Sequence, residues 1–216
     1  NCTPAYDDLN LESEGWECRI EKVALAGRDQ NLVYTIRTPS GTLRQTIGIR
    51  WICPWDFEWS PVDYLIKTEE DFEIVRRWQP PVGDIDTEPI QRARAAVCDR
   101  GVTAPWLQGA FNHLGCLYRS LNDLALDPLV RSDFYRGMMN YFLERNLALA
   151  RQFVAAGADM ISLGLNIASG KMFGPEFVRD YVAPYEIRLI EGIHALGAGV
   201  IGHNCGYARR LLPTYP

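Results

Sequence analysis

No apolar run in this 216-residue chain approaches the roughly 20 residues that cross a bilayer, and no secretory signal pattern is visible, so no membrane partner is expected. An excess of basic residues is missing too. The 22 Lys and Arg stand against 27 Asp and Glu, a net charge of −5 that leaves no electrostatic footprint for nucleic acid. The six cysteines (Cys2, Cys18, Cys53, Cys98, Cys116, Cys205) form no CxxC pair and no dense framework, a pattern that suits reduced thiols and a cytoplasmic location better than a disulfide scaffold. Internal repeats and low-complexity tracts are absent. An initiator methionine is lacking as well: the chain opens at Asn1 and stops at Pro216 soon after its most site-like motif, and the natural polypeptide is expected to be longer. What is present, 47% hydrophobic and 23% charged residues, suffices for one substantial core.

Residues 1–17 are acidic and rich in turn formers and read as loop. Cys18 to Leu25, Leu32 to Thr38 and Thr42 to Ile49 read as three strands of a small antiparallel meander, punctuated by residues 26–31 and by Pro39-Ser40-Gly41. Trp51 to Trp59 holds three of the six tryptophans and reads as a loop pinned by aromatic anchors, with an aromatic wall for a flat ligand as the alternative. Thr68 and Asp71 have capping-box spacing for a helix that ends before Pro80. A second helix is expected over residues 88–99. Ala104 to Phe111 reads as a buried strand ending in Asn112 and His113, and Asp127-Pro128 as a break before a long helix. In that helix Phe134, Met138, Tyr141, Phe142, Leu149 and Phe153 recur every three or four residues.

Gly157 to Tyr207 organises the rest. It reads as a buried strand (Met160 to Asn166), a helix (about Pro175 to Leu196) and a second buried strand (Gly199 to Gly202) running into His203-Asn204-Cys205-Gly206. Polar groups at the ends of parallel strands are where α/β folds keep their chemistry. On an extended strand residues i and i+2 share a side, so the His203 imidazole and the Cys205 thiolate can converge on one cation. Zinc accepts such a mixed nitrogen and sulfur set. By itself H-x-C is weakly specific, and a strand-end histidine beside a buried cysteine is the plainer alternative. His113 likewise reads either as a strand-end group facing substrate or as a hydrogen-bonded structural histidine.

The run Gly-Ala-Asp-Met-Ile-Ser-Leu-Gly-Leu-Asn-Ile-Ala-Ser-Gly-Lys-Met-Phe-Gly-Pro-Glu-Phe, followed by Tyr181-Val182-Ala183-Pro184-Tyr185 and His203-Asn204-Cys205-Gly206, resembles the uroporphyrinogen decarboxylase superfamily. Within it, the pattern is closer to the corrinoid-dependent methyltransferase branch. The resemblance is specific from about Asp133 onward. It implies an α/β fold, a partial TIM (β/α)8 barrel over residues 67–216 preceded by the meander in residues 1–66, since a complete barrel needs roughly 250 residues.

The resemblance further implies zinc held by His203 and Cys205, with a further cysteine well downstream in the branch and none in this chain. Asn166, and His113 on its strand-end reading, are then expected near the substrate, while Ser169 and Lys171 in the loop after Asn166 are candidate substrate contacts, with shaping of that loop as the plainer alternative. The implied activity is methyl transfer between a methylated substrate or a thiol and a corrinoid carried on a partner protein, in either direction. The segment by itself is expected to be inactive. Leu165 and Asn166 stand where related enzymes often carry acids, which weakens the alternative of a uroporphyrinogen decarboxylating lyase. A non-catalytic barrel domain that binds a small molecule is the other alternative.

Overall fold

The computed structural model describes residues 2, 3, 6–11 and 13–215. In chain order its elements are β1 (Glu17–Ala24), β2 (Gln30–Thr38), β3 (Gly41–Cys53), β4 (Asp56–Asp63), α1 (Glu69–Trp78), α2 (Glu88–Val97), β5 (Trp106–Gln108) and α3 (Ala110–His113). A π-helical turn, Leu114–Tyr118, continues α3. Then come α4 (Leu121–Val130), α5 (Ser132–Ala155), β6 (Met160–Gly164), α6 (Pro175–Phe177), a second π-helical turn (Val178–Val182), α7 (Ala183–Ala195) and β7 (Gly199–His203). Contacts gather the chain into two compact units, Asp7–Pro81 with Gly115–Phe134, and Asn1–Tyr6 with Val82–Leu114 and Tyr135–Pro216. The boundary drawn at residue 66 divides the chain by segment, whereas packing groups the meander with residues on both sides of it.

The first unit is built on an antiparallel sheet in the order β1-β2-β3-β4. Register pairs Tyr34 with Gln45 and Ile36 with Leu43, so the period of two puts these four, with Ile47, on one buried face. A fourth strand replaces the loop expected around the tryptophans: β3 runs on to Cys53 and turns through Pro54-Trp55 into β4. Pro54 sits in the turn itself, where its missing N–H costs no ladder bond. Trp55 is 84% exposed and anchors nothing, while Trp51 lies under the Arg28 guanidinium, 3.6 Å from the ring centroid.

The Thr68 capping box forms as expected: the Asp71 N–H donates to Thr68 Oγ1 at 3.2 Å and the Thr68 N–H to Asp71 Oδ2 at 2.9 Å. Asp127-Pro128 does not break the chain; α4 runs through it to Val130. Asp127 is fully buried and receives Arg119 Nε at 2.8 Å and Arg131 Nη2 at 2.6 Å, which holds the last turn despite the proline.

The second unit carries a parallel sheet in the order β5-β6-β7. β5 and β6 are shorter than expected at their carboxyl ends, while β7 runs one residue further than expected, to His203. The segment read as a strand over residues 104–111 is extended only at Trp106–Gln108 and becomes helical at Ala110. Ser132–Ala155 forms one long helix that buries Met138, Met139, Phe142, Leu149 and Phe153, and Gly157 ends the segment at φ +97°. The helix expected over residues 175–196 forms with the second π turn inside it. β7 is not buried: it pairs only with β6 among the described residues, and Ile201 is 43% exposed.

Candidate functional site

Strand register sets the site. Gln108, Gly164 and His203 are paired across β5, β6 and β7, so they stand level at the carboxyl ends of three parallel strands. One face of this sheet buries Leu107, Ile161 and Leu163. The alternation of side chains puts Trp106, Gln108, Ser162, Gly164, Ile201 and His203 on the other face. Gly164 is what lets Trp106 cross it, because a Cβ there would lie 2.4 Å from Trp106 Cζ2. The indole thereby reaches the His203 ring.

Both proposed metal donors, His203 and Cys205, are exposed. β7 ends at His203, so strand alternation carries the imidazole but not the thiol, which follows on irregular backbone. Between them Asn204 turns inward. Its Nδ2 donates to the carbonyls of Leu165 at 3.0 Å and Ala168 at 3.3 Å, and its Oδ1 accepts the Gly206 N–H at 2.9 Å. The Gly170 N–H donates to the Tyr207 carbonyl at 2.8 Å, which ties the loop after β6 to the loop after β7.

The remaining sequence candidates occupy that first loop and the turn after β5. Asn166 is half-buried, and its Oδ1 is buried with no hydrogen-bond partner among the described residues. Ser169 is buried beneath Gly206, where an added Cβ would sit 2.4 Å from Ser169 Cβ, while Lys171 is exposed. His113 is not at a strand end. It lies on α3, 5% exposed, with Nδ1 3.0 Å from Asn146 Oδ1 and its ring edge-on to Phe142. Asn146 Nδ2 donates in turn to the Gln108 carbonyl at 2.8 Å, so His113 supports the strand end from behind. The structure therefore places His203 at the end of β7, Cys205 in the loop that follows, Asn166, Ser169 and Lys171 in the loop after β6 that is tied to it, and His113 in the packing.

Several site residues escaped the sequence reading. Asn112 is 2% exposed; its Oδ1 accepts the Ile167 N–H at 2.8 Å and its Nδ2 donates to Gln108 Oε1. Glu186 is fully buried on α7, where its Oε1 accepts the Phe111 N–H at 3.3 Å. Burial pushes its carboxyl up to about 8, against the pull of the Phe111 and Ala110 amides. A signal for it existed: Ala183, Glu186, Leu189 and Ile193 are the buried positions of α7, so Glu186 interrupts an apolar stripe. Asp159, at the opposite end of the strands, accepts both Thr103 N–H and Thr103 Oγ1 at 2.8 Å, and those bonds hold its carboxyl below the usual range.

An imidazole nitrogen and a thiolate fit zinc in kind, as two of the three protein donors of a catalytic site. Among the described residues no group of three or more His, Cys, Asp or Glu could hold a metal ion. Burial pushes the Cys18 and Cys116 thiols up to about 11, the direction opposite to a ready thiolate ligand. The arrangement offers an exposed nitrogen and sulfur pair, an unsatisfied amide oxygen at Asn166 and an aromatic wall at Trp106.

Residues 115–215 match the family described as uroporphyrinogen decarboxylase (URO-D). The methylcobamide:CoM methyltransferase MtbA of Methanosarcina mazei is 28% identical over 149 residues, 68% of this chain and 43% of the relative. The protein of the same name from Methanosarcina acetivorans is 30% identical over 69 residues, 32% of this chain and 20% of the relative. The chain thus spans less than half the length of either. A solved structure described as a methyltransferase from Methanosarcina mazei shares the fold, with a TM-score of 0.59 at 18% identity over 73% of this chain and 46% of that one.

Proposed function

We propose that this chain, whose residues 115–215 match the uroporphyrinogen decarboxylase (URO-D) family and whose curated relatives include methylcobamide:CoM methyltransferases, contributes the zinc-binding half of a methyl-transfer site. The observation that carries the reading is the exposed His203 and Cys205 pair, at the carboxyl end of a parallel strand inside the matched segment. The names of the relatives pair a methylcobamide with CoM, and by analogy the methyl group passes between a small-molecule donor or thiol and a corrinoid on a partner protein.

In this reading the three parallel strands belong to a partial (β/α)8 barrel over residues 67–216, with residues 1–66 as an appended meander. His203 and Cys205 hold the metal, and a third donor comes from outside the described residues. Zinc, when bound, supplies Lewis acidity that makes a coordinated thiol a thiolate near neutral pH.

This chain's own residues bind and orient. Asn166 Oδ1, buried and without a partner, accepts an N–H or O–H from the ligand; such an orphan acceptor costs about 1–3 kcal/mol until it is satisfied. Lys171, exposed on the same loop, meets anionic parts of the substrate, and Ser169 shapes the loop beneath Gly206. Trp106 closes one side of the His203 imidazole. His113 acts through Asn146 on the end of β5.

Metal analysis of the full-length protein tests this: close to one zinc per chain, lost in His203→Ala and in Cys205→Ala, is the expected result. Zinc-free protein that still decarboxylates uroporphyrinogen would support a lyase instead. Neither zinc nor turnover would support a binding domain, the reading favoured by the lack of a third donor among the described residues.

A further inference from the structure

Glu186 has no part in metal binding, yet it is placed where the candidate site is assembled. Its carboxyl lies at the start of α3, immediately after β5, where Oε1 accepts the Phe111 N–H at 3.3 Å and Oε2 is buried with no hydrogen-bond partner among the described residues. It also presses on Gly109: a Cβ there would sit 2.4 Å from Oε2 and 2.6 Å from Oε1. Gly109 has ordinary backbone angles, φ −66° and ψ 161°, so what demands glycine here is the close approach of the carboxyl and not the conformation. From this turn the contacts run straight into the site. Asn112, one residue on, receives the Ile167 N–H at 2.8 Å, and Ile167 belongs to the loop that carries Asn166, Ser169 and Lys171.

We propose that Glu186 is a positioning residue for the site: its carboxyl seats the Gly109-Ala110-Phe111 turn, and through Asn112 that turn sets the loop after β6. The contacts stand by themselves; their consequence for ligand binding rests on the proposed function. The groups that face the carboxyl are the two amides from α3 and, from the C-terminal segment, Tyr215, whose hydroxyl is raised chiefly by burial and then by Glu186 itself. No Lys, Arg or His among the described residues is paired with it. Around neutral pH the buried group therefore holds its proton, and the Phe111 donor and an uncharged acid coexist without a counter-ion.

Backbone amide exchange on the whole chain, read residue by residue without metal or substrate, tests the proposal in Glu186→Ala and Glu186→Gln. In Glu186→Ala the Phe111 and Ile167 amides should exchange at least about tenfold faster while Leu163, in the core of β6, keeps its protection. Glu186→Gln, which retains an acceptor of the same shape, should restore both. In the wild type the Phe111 amide nitrogen should follow a titration in the mildly alkaline range that Glu186→Gln abolishes. Should Glu186→Ala fold too poorly to measure, Gly109→Ala, which pushes the carboxyl away, should produce the same selective loss at Ile167.

Unchanged Ile167 protection in Glu186→Ala, or a loss spread evenly over the sheet in both variants, would overturn the proposal. Because no zinc enters the readout, methyl transfer can fail while the positioning role stands, and the reverse.

Discussion

Trp106 meets His203 edge-on across the bare backbone of Gly164, with ring centroids 5.4 Å apart and planes at 66°. The contact makes a glycine part of the site. Gly164→Ala would put a methyl 2.4 Å from Trp106 Cζ2 and 2.7 Å from Gln108 Oε1. Overpacking of this kind costs about 1–3 kcal/mol, and urea unfolding should show a loss of that size. The His203 ring proton signals should shift as the indole leaves; a variant with wild-type stability and unmoved His203 signals would contradict the contact.

His203 and Cys205 are exposed, so their truncation should leave the apo fold within about 0.5 kcal/mol of wild type. Thermal melting in the presence of a chelator, set beside metal analysis, separates the two effects. A loss of several kcal/mol in either variant would mark the residue as packing and not as a ligand.

Asn204 holds the two site loops together through two bonds of its side-chain amide, to the Leu165 and Ala168 carbonyls, and a third braces its own loop at Gly206. Asn204→Ala should cost about 1–3 kcal/mol, because the Leu165 and Ala168 carbonyls lose their donor. The Gly206 amide, which donates to Asn204 Oδ1, should exchange faster than in wild type. Asn204→Asp keeps that acceptor but turns an anion toward two carbonyls, and should be no better than Asn204→Ala.

Glu186 predicts a pH dependence of stability with a definite sign. Its folded carboxyl is raised to about 8 from an ordinary 4.5, so across that window the native chain keeps a proton that the unfolded chain has released. Unfolding free energy should therefore fall as pH rises from about 4.5 to 8, by at most about 1.4 kcal/mol per pH unit from this group, and level off above. Urea titrations at several pH values should give a shallower profile for Glu186→Gln; identical slopes in the two proteins would count against a protonated Glu186.

Arg119 and Asp127 form a buried ion pair at 2.8 Å, with both side chains at 0% exposure. Asp127→Ala leaves the buried guanidinium with only the half-exposed Asp123 carboxylate, 3.9 Å away, as counter-charge and should cost about 3–5 kcal/mol in urea unfolding. The carbonyls of Ile66 and Lys67, at 3.0 and 2.7 Å from Arg119 Nη1, keep that arginine from swinging out to water.

Much of the scaffold was legible because it follows from local chemistry. The Thr68 capping box, the apolar period of residues 134–153 and the glycine stop at 157 each depend on residues close in sequence. Errors arose where distant groups decide. Pro128 reads as a break until Arg119 is seen holding Asp127, and Pro54 reads as a loop until β4 is seen paired with β3. The His203-Asn204-Cys205 motif is visible in the sequence because its residues are neighbours in the chain, and its metal role belongs to the proposal. Asn112, Asn204 and Glu186 could not be read that way, because their partners at Ile167, Leu165 and Phe111 are set by the fold.

The carboxyl wedged against Gly109 also binds the history of two positions. A side chain gained at 109 must displace the carboxyl, so it is tolerated best where residue 186 is already shorter, and a long acid returning to 186 fits best where 109 is still glycine.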